Sequence, residues 1–179
     1  MSVVACKIKE NGFEIAADSI TVRGSIQTKG QTTDQVKLFE ANEMVIGGVG
    51  TAEENSLMRL FAETHRPGAA DELAMLEFLS EFSEWKKKKT DSNVIKNSYL
   101  MGFQGSVFHV EQWYVSKVTN YMAIGAGMSF ALAALYLGNS AEKAIETAIE
   151  LSIFCEAPII VIEKTTTGGQ KIAAKKKPV

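Results

Sequence analysis

The chain has 179 residues, of which 46% are hydrophobic and 22% are charged, and its net charge is −2. This length and apolar content fit one globular domain with a substantial core and exclude two ordinary domains. No apolar stretch approaches the roughly 18 residues that a transmembrane helix requires, and residues 1–12 lack the apolar core of a secretory signal. We therefore expect a cytoplasmic protein that does not enter a membrane.

The cysteines and histidines are too few and too scattered for a disulfide framework or a metal site. They are Cys6, Cys155, His65 and His109. Neither cysteine belongs to a CxxC pair or has a histidine nearby in sequence, so we predict two reduced thiols in the core. Because no group of ligands has the spacing of a metal site, we expect neither a metal nor another cofactor.

Lysines form two runs, at residues 86–89 and 175–177. Such runs can bind nucleic acid, but acidic residues balance them elsewhere and no aromatic-rich RNA-binding motif accompanies them. Lysines at the end of a helix interact favourably with its dipole. We therefore interpret the first run as a solvated helix end and do not expect nucleic acid as a partner.

Strand and helix patterns follow one another in blocks along the chain. Alternating or β-branched runs predict strands at residues 3–9, 13–18, 36–41, 43–50, 98–105, 106–113, 118–125 and 158–164, with a weaker one at 168–174. Apolar residues at helical spacing predict helices at residues 52–65, 71–89, 128–137 and 140–154. Thr51, Asp71 and Ser140 are predicted to start three of these helices.

Two blocks of strands and two pairs of helices, with few signals of parallel βαβ units, indicate an α+β fold. Each helix pair carries an apolar face, and helices on the outer faces of two stacked antiparallel sheets would bury all of these faces. We therefore predict a four-layer αββα sandwich. It forms a single domain over residues 1–166, followed by a weak terminal strand and a basic tail at 167–179.

Glu10-Asn11-Gly12 joins the first two strands and predicts a hairpin whose turn length decides where Asp18 lies. A two-residue Asn-Gly turn places Asp18 opposite Ala5, on the face of the sheet away from Ser2. A three-residue turn with Gly12 in the left-handed conformation places Asp18 opposite Val4, on the face of Ser2. Cooperation between Ser2 and Asp18 would therefore require the three-residue turn.

Ser2 becomes the N-terminal residue if Met1 is removed. Its hydroxyl would then lie beside a free α-amine with a pKa of about 7.7–8.0, close enough to neutrality to act as a base for that hydroxyl. A serine after the initiator methionine is also an ordinary permissive residue, and position alone favours that explanation.

Four segments together carry a resemblance to a known family. They are SVVACKI, AADS, VKLFEANEMVIGGVGTAEE and YMAIGAGMSFALAALYLGNSAEKAIETAIEL. In this order they resemble the proteasome-type peptidases, the proteasome β-subunit and HslV branch of the N-terminal nucleophile (Ntn) hydrolases, and especially the shorter bacterial and phage-borne members. The resemblance covers nearly the whole chain apart from the tail and the stretch WKKKKTDSN, and it implies the αββα sandwich of that family.

The resemblance implies a peptidase whose mature N-terminal residue attacks the scissile carbonyl, with its own α-amine as general base. That position falls to Ser2, where relatives usually carry threonine. Asp18 matches the acidic residue of the family, Lys37 matches its lysine, and Gly47 matches the residue whose N–H binds the oxyanion. Ungapped matching backwards from GGVG would put Gln35 in place of the lysine, but KLF follows the lysine–apolar–apolar pattern of the family, which favours Lys37.

The resemblance also implies where a substrate binds. An extended peptide would pair with the backbone near Val22 and Gly47, with Gly48 beside it. Val45 matches a position that lines the specificity pocket of the family and would favour apolar or medium-sized side chains before the scissile bond. The implied substrate is a peptide or an unfolded protein, cleaved inside a self-compartmentalised homo-oligomeric ring with an AAA+ unfoldase as a candidate partner.

Three positions depart from the family pattern. Ser2 lacks the methyl group that restricts the rotamer of threonine. The family's Gly-Ser-Gly before the third helix is Gly-Ala-Gly here, so Ala126 cannot supply the supporting hydroxyl, and Ser129 lies one helical turn away. The segment SIFCEAPI lacks the expected aspartate, whose place Ser152 or Glu156 would have to take.

These departures leave two alternatives to a peptidase. A catalytically degenerate relative would keep the fold and the ring for binding or scaffolding. A small-molecule amidase would use the same nucleophile on another substrate, because a fold does not determine its substrate. Removal of Met1 and the convergence of Ser2, Asp18 and Lys37 would distinguish an active enzyme from the degenerate relative.

Overall fold

The computed structural model of the chain describes residues 2–23, 26–28 and 37–165. In these ranges two antiparallel sheets stack face to face, and a pair of helices covers the outer face of each sheet. The predicted αββα sandwich is confirmed. The predicted strand at 168–174 and the basic tail lie outside the described residues.

The described part of the chain contains eleven strands and four helices. The strands are β1 Val3–Lys9, β2 Gly12–Ala17, β3 Thr21–Arg23, β4 Ile26–Thr28, β5 Leu38–Ala41, β6 Met44–Val49, β7 Ser98–Phe103, β8 Ser106–Glu111, β9 Tyr114–Lys117, β10 Tyr121–Gly125 and β11 Ile160–Thr165. The helices are α1 Ala52–Ala62, α2 Glu72–Thr90, α3 Met128–Tyr136 and α4 Ala141–Leu151. The first sheet has the order β10-β1-β2-β11, the second has the order β5-β6-β7-β8-β9, and β3 and β4 form a separate ribbon.

Three layers of buried side chains hold the sandwich together. The layer between the sheets is aliphatic and includes Val4, Ile15, Leu38, Val45 and Leu100. The layer under α1 and α2 is aromatic and includes Phe61, Phe78, Phe82, Tyr99 and Phe108. The layer under α3 and α4 is rich in alanine and includes Ala5, Ala16, Ala131, Ala144 and Ala148. Because alanine side chains are short, α3 and α4 lie close to the first sheet.

Three helices begin where the sequence predicts. The side chains of Thr51, Asp71 and Ser140 each accept the N–H of the residue three positions later, which caps α1, α2 and α4. The fourth helix ends at Leu151, three residues earlier than predicted, because Ser152 adopts an extended conformation. In the described ranges no helix is both long enough and apolar enough to cross a membrane.

The structure contains two short hairpin elements that the sequence does not predict. Residues 106–113 are predicted as one strand, but β8 ends at Glu111 and Gln112 adopts a left-handed φ of 54°. The chain turns back at this point and pairs Tyr114 with Glu111, which starts β9. The turn lacks the glycine, asparagine or aspartate that signals a left-handed position, so its sequence signal is weak. The β3–β4 ribbon is the second such element.

The first hairpin has a register that differs from both predicted ones. Lys9 pairs with Gly12, so Glu10 and Asn11 form the turn, and both predicted turns are wrong. Asp18 therefore lies one residue further along β1, where its N–H donates to the Val3 carbonyl at 3.2 Å. Because β2 has already ended, the side chain of Asp18 is not tied to one face of the sheet, and the three-residue turn is not required.

The lysine run at 86–89 has two different environments. Lys87, Lys88 and Lys89 are exposed, as expected for a solvated helix end. Lys86 is buried, and its ammonium contacts the buried carboxylate of Glu54 in α1. The interpretation of the whole run as solvated is therefore wrong for Lys86, which joins α2 to α1 inside the protein.

We expect Lys86→Ala to lower the free energy of unfolding by about 3 kcal/mol, because it leaves the Glu54 carboxylate buried without its cation. Lys87→Ala, an exposed substitution in the same helix, is the matched control and should change it by less than about 0.5 kcal/mol. Urea unfolding followed by circular dichroism measures both values. Equal losses in the two variants would contradict a structural ion pair at Lys86.

Candidate active site

The candidate site is built around the carboxylate of Asp18, which is fully buried. Its Oδ1 atom accepts hydrogen bonds from the Lys37 ammonium at 2.8 Å and from the Val3 N–H at 2.9 Å. The second bond connects Asp18 to the peptide group that joins Ser2 to Val3. Asp18 and Lys37 therefore meet beside the residue predicted as the nucleophile, and Ser2 is itself buried there.

Several chain segments converge on Asp18 because each begins or ends a structural element there. β2 ends at Ala17, and Lys37 immediately precedes β5 of the other sheet. The Oδ2 atom of Asp18 accepts the N–H of Ile20 at 3.4 Å and the N–H of Glu156 at 3.3 Å. The site therefore connects both sheets and the segment that follows α4.

Burial dominates the electrostatics of Lys37, whose side chain is 7% exposed. It lowers the pKa of Lys37 from the usual 10.5, and the neighbouring Asp18 carboxylate opposes this shift. An ammonium at this position favours the neutral form of a nearby amine and the deprotonated form of a nearby hydroxyl. The pair can therefore assist proton transfer at Ser2.

A thiol, Cys155, lies beside the same pair, although the sequence predicts only that it is in the core. Burial raises the pKa of Cys155, and the charge of Asp18 raises it further. The other thiol, Cys6, lies between the sheets, where burial raises its pKa to about 12. Both thiols are free and buried, which agrees with the prediction of unpaired core cysteines. High pKa values make them poor nucleophiles.

The Gly-Ala-Gly segment reaches Ser2 through its backbone. The Gly127 N–H donates to the Ser2 carbonyl at 3.3 Å. Gly125 has a left-handed φ of 100°, and a Cβ there would come within 2.3 Å of the same carbonyl oxygen. Ala126 and Ser129 are both exposed. The two glycines thus allow the close approach of this segment to β1.

Gly47 and Gly48 lie in β6, where each has a packing role. A Cβ on Gly47 would come within 2.6 Å of Val4 Cγ1, and one on Gly48 within 2.2 Å of Asn55 Oδ1. The Gly48 N–H donates to the Lys37 carbonyl at 2.9 Å. Because N–H groups along a strand alternate between its two neighbours, the Gly47 N–H faces β7. The oxyanion role of Gly47 stays a prediction, and it requires that this N–H be released from the sheet.

The other predicted substrate contacts, Val45 and Val22, lie in different parts of the fold. Val45 is fully buried in the core between the sheets, so it reaches a substrate only if that core opens, and its role in specificity stays a prediction. The backbone of Val22 pairs with Gln27 in the β3–β4 ribbon. Gln35 lies outside the described residues, and the contact of Lys37 with Asp18 supports the choice of Lys37.

The segment after α4 contacts the site through its backbone. Glu156 reaches Asp18 with its N–H, whereas the Ser152 hydroxyl accepts the N–H of Phe154 at 3.2 Å. The sequence gives no signal for such a contact, because any residue except proline carries a backbone N–H. In the part of the chain that the structure describes, no three side chains of His, Cys, Asp or Glu are grouped to hold a metal ion.

Comparison with solved structures shows that the two stacked sheets and the two helix pairs form the fold of the proteasome-like Ntn hydrolases. A scan against protein-family models and a search of curated proteins both find no match.

Three solved structures illustrate this similarity. BPH from Thiobacillus denitrificans in complex with epoxomicin has a TM-score of 0.82 and 16% identity, covering 92% of this chain and 99% of BPH. Anbu (ancestral beta-subunit) from Yersinia bercovieri has a TM-score of 0.68 and 15% identity, covering 91% and 81%. An Anbu (Gly-1) mutant from Hyphomicrobium sp. strain MC1 has a TM-score of 0.65 and 12% identity, covering 92% and 82%.

The lowered pKa of Lys37 predicts a pH dependence of stability. The folded chain releases the Lys37 proton at a lower pH than the unfolded chain does, so the unfolded state binds more protons between the lowered pKa and 10.5. The contribution of Lys37 to the free energy of unfolding therefore rises with pH in this interval. We expect the difference in this free energy between wild type and Lys37→Met to shift in favour of wild type as pH increases.

Urea unfolding at several alkaline pH values tests this expectation. Lys164→Met is the control, because it removes a half-buried lysine outside the site that pairs with Glu40. A difference for Lys37→Met that is constant or falls with pH would show that the pKa of Lys37 is not lowered in the folded state.

The packing of Gly47 gives a second expectation. Gly47→Ala should lower the free energy of unfolding by about 1–3 kcal/mol, because the new methyl group collides with Val4. Val4→Ala in the same chain should remove part of this loss, as a double-mutant cycle in urea unfolding would measure. Gly68→Ala is the control, because a Cβ there meets nothing within 4 Å. Purely additive losses at Gly47 and Val4 would contradict the contact.

Proposed function

We propose that the chain is a proteasome-like peptidase that cleaves peptide bonds with Ser2 as its N-terminal nucleophile, after removal of Met1. The observation that carries this proposal is the buried Asp18–Lys37 pair at the peptide group between Ser2 and Val3. A buried ion pair costs desolvation energy, and such pairs with perturbed pKa values are frequent at functional sites. The proteasome-like fold supports the same assignment.

The proposed reaction uses the hydroxyl and the α-amine of Ser2 together with the adjacent Asp18–Lys37 pair. The α-amine of Ser2 takes the proton of the Ser2 hydroxyl, whose oxygen attacks the scissile carbonyl. As the carbon–nitrogen bond breaks, the same amine returns the proton to the leaving amine, and water then hydrolyses the ester. The Lys37 ammonium keeps the α-amine neutral by repulsion, and Asp18 holds Lys37 in place. Gly47 remains the predicted oxyanion donor.

The finer assignments extend this proposal. The substrate is a peptide or an unfolded protein that binds as an extended strand near Val22 and Gly48, and Val45 influences the preferred side chain. The active form is a homo-oligomeric ring in the cytoplasm, served by an AAA+ unfoldase and grouped with HslV-like threonine-type or serine-type endopeptidases. The Thiobacillus BPH complex with epoxomicin supports the use of this compound as a probe.

A second function is a catalytically degenerate ring protein with a binding or scaffolding role. Ala126 favours it, because a hydroxyl that supports the terminal amine in relatives is missing. Ser129, three residues further along, is exposed, which favours this role further.

We expect purified protein to lack Met1 and to form one covalent adduct per chain with epoxomicin, measured by intact mass. Epoxomicin is a peptide epoxyketone, and its ring adduct forms only with a hydroxyl and an adjacent free amine, which Ser2 alone would supply. Ser2→Ala should form no adduct. Lys37→Met should react roughly 100-fold more slowly, because the charge beside the amine is lost.

Lys143→Met is the control for a general loss of positive charge, since Lys143 is exposed on α4 and pairs with Glu146. It should react at the wild-type rate. Retention of Met1, or a free Ser2 that forms no adduct with several peptide epoxyketones, would overturn the peptidase proposal and favour the degenerate ring protein.

A further inference from the structure

The GGVG motif of β6 ends in a segment, Gly48–Thr51, that two asparagine side chains hold from one side. Gly50 has a left-handed φ of 135°, and a Cβ there would come within 2.1 Å of Asn97 Oδ1. A Cβ on Gly48 would come within 2.2 Å of Asn55 Oδ1. Both glycines are therefore needed because an amide side chain lies directly against the backbone.

Asn97 uses both ends of its amide to fix this segment. Its Oδ1 accepts the Thr51 N–H at 2.7 Å, and its Nδ2 donates to the Thr51 carbonyl at 2.9 Å and to Asn55 Oδ1 at 3.0 Å. Asn97 is 1% exposed, so these bonds are shielded from water. Buried polar groups that are fully paired make a segment rigid and unique in conformation.

Asn55 continues the network towards the candidate active site. Its Nδ2 donates to the Gly48 carbonyl at 3.1 Å, and the Gly48 N–H donates to the Lys37 carbonyl at 2.9 Å. Lys37 in turn contacts Asp18. An unbroken series of hydrogen bonds therefore leads from Asn97 to the site.

The other end of the network is anchored far from the site. The Asn97 N–H donates to Glu54 Oε1 at 2.8 Å, and the Glu54 carboxylate is the partner of Lys86. The same carboxylate accepts the Lys96 N–H at 3.0 Å. The buried Glu54–Lys86 pair thus fixes the backbone of Asn97, and this backbone fixes the amide.

The segment Gly48–Thr51 also borders the site directly. Gly50 and Thr51 are exposed, and because the Thr51 N–H and carbonyl are already bonded to Asn97, a ligand reaches the backbone of this segment at Gly50. Val49 Cγ1 lies 3.2 Å from the position of a Cβ on Gly125, the glycine whose backbone packs against the Ser2 carbonyl. The segment therefore packs, through Val49, against the glycine that contacts Ser2.

We infer that Asn97 and Asn55 are positioning residues that hold the Gly48–Thr51 backbone in the conformation that receives an extended peptide. This inference rests on the proposed function. It identifies the preferred substrate as a polypeptide long enough to reach the exposed Gly50 backbone, because the backbone groups of Gly48 and Thr51 are already engaged by Lys37 and the two asparagines. Asn97 and Asn55 act only through the backbone they hold and do not touch the reacting atoms.

The test compares a tetrapeptide epoxyketone with its dipeptide truncation on the full chain. In wild type the tetrapeptide should form the Ser2 adduct faster, because it pairs with more of the segment. Asn55→Ala should reduce this advantage by roughly tenfold. A variant that only distorts or destabilises the site would slow both compounds alike.

Ser56→Ala is the matched control, since Ser56 is the next residue of α1 and its exposed hydroxyl donates to the Ala52 carbonyl of its own helix. It should keep the wild-type advantage. Asn97→Asp is a second variant, in which a side chain of the same shape as asparagine can no longer donate to the Thr51 carbonyl and to Asn55. It should reduce the tetrapeptide advantage as Asn55→Ala does. Thermal unfolding confirms that each variant is folded.

The outcomes separate the inference from the proposed function. If the wild-type protein forms no adduct with either compound, the peptidase proposal is overturned, and so is the positioning role that rests on it. Wild type that reacts while Asn55→Ala and Asn97→Asp keep the full tetrapeptide advantage overturns the positioning role alone. A loss of the advantage in both variants, with Ser56→Ala unchanged, supports the inference.

Discussion

The candidate site depends on the hydrogen bonds and the ion pair of the buried Asp18 carboxylate, which also connects the two sheets. It accepts the Val3 N–H of the first sheet, the Lys37 ammonium next to the second sheet, and the N–H of Glu156 after α4. A buried carboxylate is costly unless charge and hydrogen bonds compensate it, and here four donors do so. Because Lys37 lies next to the second sheet and the other three donors lie with the first, a movement of one sheet against the other would separate the carboxylate from the Lys37 ammonium.

The layered fold was predictable because it depends on periodic burial and on helix caps, which are local properties of the sequence. The first hairpin was not, because its register depends on two residues, Glu10 and Asn11, that form the turn without a strong signal. The burial of Lys86 was missed for a different reason. Four adjacent lysines suggest a solvated helix end, yet Lys86 lies eight residues after Phe78 and four after Phe82, on the same buried face of α2. Helical spacing outweighs charge at this position.

The sequence could predict the parts of the candidate site that consist of side chains but not those that consist of backbone groups. Asp18 and Lys37 were identified by their resemblance to a known pattern, and the structure brings them together. The N–H groups of Ile20 and Glu156 have no sequence signal, because their role depends on where the backbone passes. The sequence also gives no signal for the role of Asn97, because Asn97 lies 46 residues from its partner Thr51 and the two meet only in the folded chain.

Ser2 is positioned independently of Ala126, which stands where the resembled family carries a serine. Ser2 is held by the Gly127 N–H on its carbonyl and by the pairing of Val3 with Gly125, and neither contact involves a side chain at position 126. The peptide group after Ser2 is held by Asp18 in the same way. The lack of a side-chain hydroxyl at position 126 therefore leaves these contacts of Ser2 unchanged. In an active enzyme the protonation of the Ser2 α-amine would depend mainly on Lys37, whose ammonium Asp18 holds against the effect of burial, which lowers the pKa of Lys37.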